Sequence, residues 1–191
     1  MKSTLKIFYS IFILQFIIST IFPVTYASGN SERYTSTVEL IPKAIINLSS
    51  DEGPAYAIVV EKNSQTLLLY EYKDKLKLKY KFTCSTGAVP GNKERSGDRK
   101  TPEGVYFFTK GFEEKDLNPT YGIKAFVMDY PNLMDQKFNR DGNNIWLHGT
   151  FEPIKPFNSN GCVVLKNNDL ETLSQYILLN YTPIIIRQNL Q

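Results

Sequence analysis

From residue 56 onward the apolar and polar positions fall into short runs separated by turn residues. "YAIVVE" (56–61) and "TLLLYEY" (66–72) are two apolar runs of strand length with "KNSQ" between them. After a tight turn at Lys73-Asp74, "KLKLKYKFTC" (75–84) alternates. Strand periodicity predicts one face made of Leu76, Leu78, Tyr80, Phe82 and Cys84, with Lys75, Lys77, Lys79 and Lys81 on the other. The three runs read as an antiparallel meander with one solvated face. A long Gly-, Pro- and charge-rich loop follows (85–104), then a strand "VYFFTK" (105–110). Residues 111–144 carry few regular signals apart from the strand-like "IKAFVMDY", and a long irregular segment in a small domain is commonly functional. "IWLHG" is again a strand. "NDLETLSQYILLN" (168–180) is the one convincing helix, with Asn168 as its expected cap and Glu171 completing a capping box. "TPIIIRQ" is a final strand. Many short strands and one main helix near the C-terminus predict a mostly-β sandwich or barrel.

The first thirty residues follow a different rule. Lys2 and Lys6 precede an uncharged stretch rich in Ile, Phe and Leu, and small residues follow Pro23 at Thr25, Ala27 and Ser28. Residues 1–27 therefore read as a signal peptide cut near Ala27, with an uncleaved membrane anchor as the alternative. Residues 28–53 read as a linker holding one apolar stretch, "VELIPKAIINL", and residues 54–191 as the folded domain. Either reading of the leader exports the domain. Any contact with a membrane is expected only through an uncleaved leader.

Export changes the meaning of the charge. The net charge of +3 includes Lys2 and Lys6; without them 20 basic side chains face 19 acidic ones, and the near-neutral remainder offers no basic face for nucleic acid. A 42% hydrophobic content is enough for a packed core, and the 12 Phe and 12 Tyr residues favour strands.

Candidate chemistry is sparse. One histidine and two cysteines cannot build a zinc site unaided, phosphate-loop and dinucleotide patterns are absent, and nothing calls for a cofactor. What remains is His148 and Cys162, each beside a glycine in "LHGTFEPIKPFNSNGCVVL" (147–165). A thiol attacks as its thiolate, and a nearby imidazole can take the proton. His148 is expected at a strand end and Cys162 at the start of another strand, where side chains can meet. Gly161 would let the backbone turn so that the amides of residues 161 and 162 face an oxyanion. Trp146 shares the parity of His148 and could wall a cleft, or simply pack. Two cysteines in an exported chain also allow a Cys84–Cys162 disulfide in a non-catalytic wall-binding β domain. On the residues alone both readings stand, and Cys84, on the apolar side of its run, reads as a core thiol.

The ordered set His148-Gly149, then Ser159-Asn160-Gly161-Cys162, resembles the signature of the L,D-transpeptidase (YkuD-type) catalytic domain. Upstream, "LLLYEY", "FTCSTG" and "GDRKTPEGVYFFT" are similar to that family's opening strands and loop, so the resemblance runs from about residue 56 to 187. It implies a mostly-β domain acting on the stem peptides of peptidoglycan. There a cysteine attacks the carbonyl of an L-centred diamino acid, D-alanine leaves, and an amine or water takes the acyl group. Carried over, Cys162 is the nucleophile, His148 the base, the Gly149 carbonyl its orienter, and the Gly161 and Cys162 amides the oxyanion donors. Tyr121 and Ser159 would line the cleft. Many members carry His at the place of Asn160 and Arg just after the cysteine, where this chain runs Val163-Val164. "TPEGVY" and "YPN" look closer to a branch with carboxypeptidases and enzymes that release wall-anchored lipoprotein, so water is a second candidate acceptor.

Overall fold

The computed structural model describes residues 55–190. The expected leader (1–27), linker (28–53) and its apolar stretch lie outside the described residues. Eight strands are described: β1 (Ala55–Glu61), β2 (Thr66–Tyr72), β3 (Leu76–Thr83), β4 (Gly104–Glu113), β5 (Lys124–Met128), β6 (Trp146–His148), β7 (Val163–Val164) and β8 (Pro183–Arg187). Two α-helices accompany them, α1 (Leu133–Lys137) and the longer α2 (Asn167–Ser174). The expectation of a mostly-β domain with one main C-terminal helix holds.

The strands form one curled sheet in the order β3-β2-β1-β8-β4-β5-β6-β7. β1 and β8 run parallel, as do β6 and β7, and the other neighbours are antiparallel. The chain leaving β3 brings the two ends of the sheet together. Ser85 and Val164 exchange both backbone hydrogen bonds, at 2.9 and 2.8 Å, and Gly87 bridges Ser159. The inside of the curl holds Ile58, Val60, Leu67, Leu69, Cys84, Phe108, Met128, Leu147, Val163, Leu165, Leu170, Leu173 and Ile184, all fully or almost fully buried.

Several expectations need correction. The wet face belongs to β3 alone. In β1 and β2 consecutive residues are buried, with Ala57, Val59, Leu68 and Tyr70 forming a second apolar cluster opposite the main core. Their unbroken apolar runs are the pattern of strands covered on both faces. In β3 the clean alternation is interrupted by a bulge: Leu69 pairs with Tyr80, but Tyr70 pairs with Leu78, leaving Lys79 over. One extra residue exchanges the two faces. Phe82 therefore packs on the main core and Leu76 on the second cluster, although the two share sequence parity.

β4 continues to Glu113, into the segment read as irregular, because its far half pairs only with β5 and is largely exposed. That segment also holds α1, whose capping box is formed by Asn132 and Asp135. The box expected at Asn168 is not made. α2 begins one residue earlier, its cap position is Lys166 without a side-chain bond, and it stops at Ser174 rather than running to residue 180. Thr182 ends that stretch, its hydroxyl donating to the Tyr176 carbonyl at 3.0 Å and accepting from Leu178 N–H at 2.9 Å.

Candidate active site

β6 is the floor of the candidate site. Its middle residue, Leu147, points into the core beside Val163 of β7. Side chains alternate across a strand, so Trp146 and His148 face the other way. Val164 pairs with His148, and Cys162, two residues before Val164, falls on the same outer face next to Trp146. The register thus sets Cys162 and His148 on adjoining chain segments, one step apart along the ladder and on one side of it.

The imidazole is buried and held by its own neighbour, with Nδ1 2.7 Å from the Gly149 carbonyl oxygen. A carbonyl only accepts, so Nδ1 carries the proton and Nε2 is left with its lone pair. Burial pushes the imidazole pKa below its usual value, with the Gly149 carbonyl opposing that shift. The ring is neutral in the physiological range and suited to take a proton. Tyr121 stands edge-on to it at 5.0 Å and also lies 4.8 Å from Trp146, which stacks on Phe112 at 5.6 Å. Tyr121 and Trp146, both half-buried, therefore wall the space beside His148. The Trp146 indole Nε1 is buried with no hydrogen-bond partner.

The sulfur of Cys162 lies 3.5 Å from the Asn144 carbonyl, to which the thiol donates, while the Trp146 backbone N–H donates to the sulfur. Burial raises the thiol pKa; that N–H and the positive charge of Lys93 act against the rise. At rest these directions describe a neutral thiol and a neutral imidazole. Both cysteines are free, so the structure carries no Cys84–Cys162 disulfide. Cys84 is fully buried in the core, where burial pushes its thiol up to about 12.

The loop before Cys162 is braced from within and from the segment 85–103. Ser159 Oγ accepts the Gly161 N–H at 3.0 Å and donates to the Cys162 carbonyl at 2.6 Å. Thr101 Oγ1 donates to the Gly161 carbonyl at 2.8 Å and accepts the Gly87 N–H at 2.8 Å. Gly161 has φ +127°, and a Cβ there would lie 2.8 Å from the Lys100 carbonyl oxygen, so only glycine fits. Two expectations change. The Gly161 amide is engaged by Ser159 and does not point free toward an oxyanion. Ser159 is buried and pins the loop instead of lining the cleft. Asn160 is exposed at the turn.

Other contributors had no visible signal, because their partners are remote in sequence. Asn167 Oδ1 accepts the Ile123 N–H at 3.3 Å and sits where a Cβ on Gly149 or Gly122 would be. Lys62, at the end of β1, is buried and donates to the Thr101 carbonyl and to Glu103, at 3.0 Å each, tying β1 to the 91–103 loop. Asp98 and Lys93 organise that loop, which the sequence shows only as a charged turn. Among the described residues no group of three or more His, Cys, Asp or Glu side chains converges as a metal site would.

The curled sheet, the His-Gly pair at a strand end and the glycine-bent cysteine loop define a catalytic domain of one class. Residues 55–186 match the model of the L,D-transpeptidase catalytic domain (YkuD), and the chain belongs to that family of enzymes. It is similar to YafK of Escherichia coli (strain K12), an L,D-transpeptidase by inference, with 29% identity over 129 residues, covering 65% of this chain and 48% of YafK. Among solved structures it resembles Bd1075 of Bdellovibrio bacteriovorus (31% identity, TM-score 0.63, 74% of this chain and 50% of that one). It also resembles the helical cell shape determining protein Pgp2 of Campylobacter jejuni (29% identity, TM-score 0.64, 72% and 49%). The chain spans about half the length of the curated relatives it matches.

Proposed function

We propose that the protein is an exported cysteine enzyme that acylates Cys162 with a peptidoglycan stem peptide and passes the acyl group to an amine. His148 Nε2 takes the thiol proton. The sulfur attacks the carbonyl at the L-centre of the diamino acid, and the tetrahedral intermediate collapses to a thioester as D-alanine leaves with the proton held by the imidazole. An acceptor amine, deprotonated by the same ring, then attacks the thioester; the cross-link forms and the thiol is restored. With the Gly161 N–H held by Ser159, the Cys162 amide is the loop's donor to the oxyanion. Tyr121 and Trp146 flank the peptide.

The observation that carries this reading is the Nδ1 contact of His148 with Gly149, which leaves Nε2 free of its proton on the same face as Cys162. Family membership supports peptidoglycan as the polymer and is consistent with work in the cell envelope; Pgp2, by its name, determines cell shape. Hydrolysis is the second reading, because Cys162 is followed by two buried valines, where an arginine that could hold a second peptide's carboxylate is replaced. Incubation with purified disaccharide-tetrapeptide separates the two. A cross-linked dimer with released D-alanine supports transfer, tripeptide alone supports a carboxypeptidase, and unchanged substrate overturns both.

A further inference from the structure

We propose that Lys93 is a positioning residue for the reaction at Cys162: its buried ammonium, clamped by Asp98, keeps a fixed positive charge behind the cysteine and stabilises the sulfur as it becomes negative. The inference rests on Cys162 being the nucleophile.

Lys93 is out of character for its surroundings. It is 3% exposed in a loop whose next four residues, 94–97, are exposed. Taking an ammonium out of water is costly, so a buried lysine needs partners that hold it. Its Nζ donates to Asp98 Oδ1 at 2.6 Å and to the Arg95 carbonyl at 2.9 Å. Asp98 in turn accepts the backbone N–H groups of Glu94, Arg95 and Lys100, at 2.8, 3.0 and 3.1 Å. Those donors hold its carboxyl well below the usual carboxylate range despite partial burial.

This clamp touches both walls of the sulfur's surroundings. On one side, Lys93 Cε lies 3.1 Å from where a Cβ on Gly142 would be. Two residues further on, the Asn144 carbonyl receives the Cys162 thiol. Two residues of chain span at most about 7 Å, so the end of the Lys93 side chain and the sulfur pack against one short segment. The loop is fastened to that segment by Asp141, whose Oδ1 accepts the Ser96 N–H at 2.5 Å and whose N–H donates to the Glu94 carbonyl at 2.9 Å. On the other side, the Lys100 residue positioned by Asp98 presses its carbonyl on Gly161.

The charged and titratable groups of these elements are Lys93, Glu94, Arg95, Asp98, Arg99, Lys100 and Glu103 in the loop, Arg140 and Asp141 beside it, and His148 on β6; Arg99 is exposed, Glu103 pairs with Lys62 and Arg140 with Asp135. Glu94 and Arg95 are exposed, Asp141 and Asp98 are engaged by backbone N–H groups, and His148 is neutral at rest. Lys93 is the charge that acts on the Cys162 thiol, and it acts toward the thiolate.

The test is the pH dependence of Cys162 alkylation by iodoacetamide in the whole protein, with the site of labelling read by mass spectrometry. Cys84 is fully buried and does not compete. Lys93→Met is expected to raise the alkylation midpoint by about one pH unit and to slow labelling at pH 7 several-fold, while Lys93→Arg keeps the midpoint near that of the parent. Lys93→Gln, which keeps a polar partner for Asp98 without the charge, should raise the midpoint in the same way, which keeps the idea testable if Lys93→Met does not fold. An unmoved midpoint in folded Lys93→Met or folded Lys93→Gln overturns the proposal. Turnover of Cys162→Ala separates the two levels of inference. If that variant stays active, the nucleophile assignment fails; if it is dead and the midpoint ignores Lys93, only the role of Lys93 fails.

Discussion

His148 and Gly149 are joined by a 2.7 Å contact between the ring Nδ1 and the carbonyl oxygen of the very next residue. A histidine usually borrows its orienting group from elsewhere in the chain. Here the backbone turn after β6 supplies it, so the ring's tautomer depends on the conformation of one glycine.

The depressed imidazole pKa sets an acid limb for turnover. Because burial lowers it, the neutral base persists below the ordinary histidine value of 6.5, and kcat/KM for stem peptide should fall only at pH values under that. The stability consequence has the same direction. The unfolded chain binds the proton more readily, so stability is complete above about pH 6.5 and declines as pH falls through that value. Thermal melts of the parent and of His148→Gln across pH 5 to 8 check this, the variant losing that part of the slope.

Removing the sulfur or the ring should separate activity from folding. Cys162 is half-buried and its sulfur makes only weak hydrogen bonds, so Cys162→Ala should shift stability by less than about 1 kcal/mol. It should abolish turnover and the mass adduct formed with a carbapenem. His148→Ala should lower the rate by about 10²–10⁴-fold. Near-parental activity in either variant would remove that residue from the mechanism.

Gly149 and Asn167 should behave as a coupled pair. A Cβ on residue 149 would lie 2.2 Å from Asn167 Oδ1, an atom already fixed by the Ile123 N–H. Gly149→Ala should therefore cost about 1–3 kcal/mol and disturb the ring's orientation. Adding Asn167→Ala opens the space. A double-mutant cycle from urea melts should show the pair less destabilised than the sum by about 0.5–2 kcal/mol; strict additivity would contradict the contact.

Asp129 offers a stabilising substitution away from the site. Burial raises its pKa to about 6, with the nearby Asp135 adding to the shift and the Phe107 N–H opposing it. The native state thus holds this proton more tightly than the unfolded chain. Stability falls as pH rises from about 4 to 6, and the full penalty remains above that. Asp129→Asn keeps an acceptor for the Phe107 N–H, 2.9 Å away. It should stabilise by on the order of 1–2 kcal/mol at pH 7 and have little effect near pH 4. Equal effects at both pH values would rule this cause out.

Much of the fold was legible because β1 and β2 are unbroken apolar runs and because Trp146, His148 and Leu147 alternate over so few residues that parity alone sorts them. The single imidazole could be recognised as the one base of its kind, and Cys84 as a core thiol, from local pattern. Tertiary structure decided the rest. A bulge at Lys79, which no local signal marks, turned Leu76 and Phe82 to opposite faces. Thr101 and Gly161 meet across 60 residues, Ser159 takes the Gly161 amide, and Lys93 is buried by Asp98. Side-chain periodicity follows from the geometry of one strand, whereas these contacts depend on where the chain returns after β3 closes onto β7, and no spacing along the chain encodes that return.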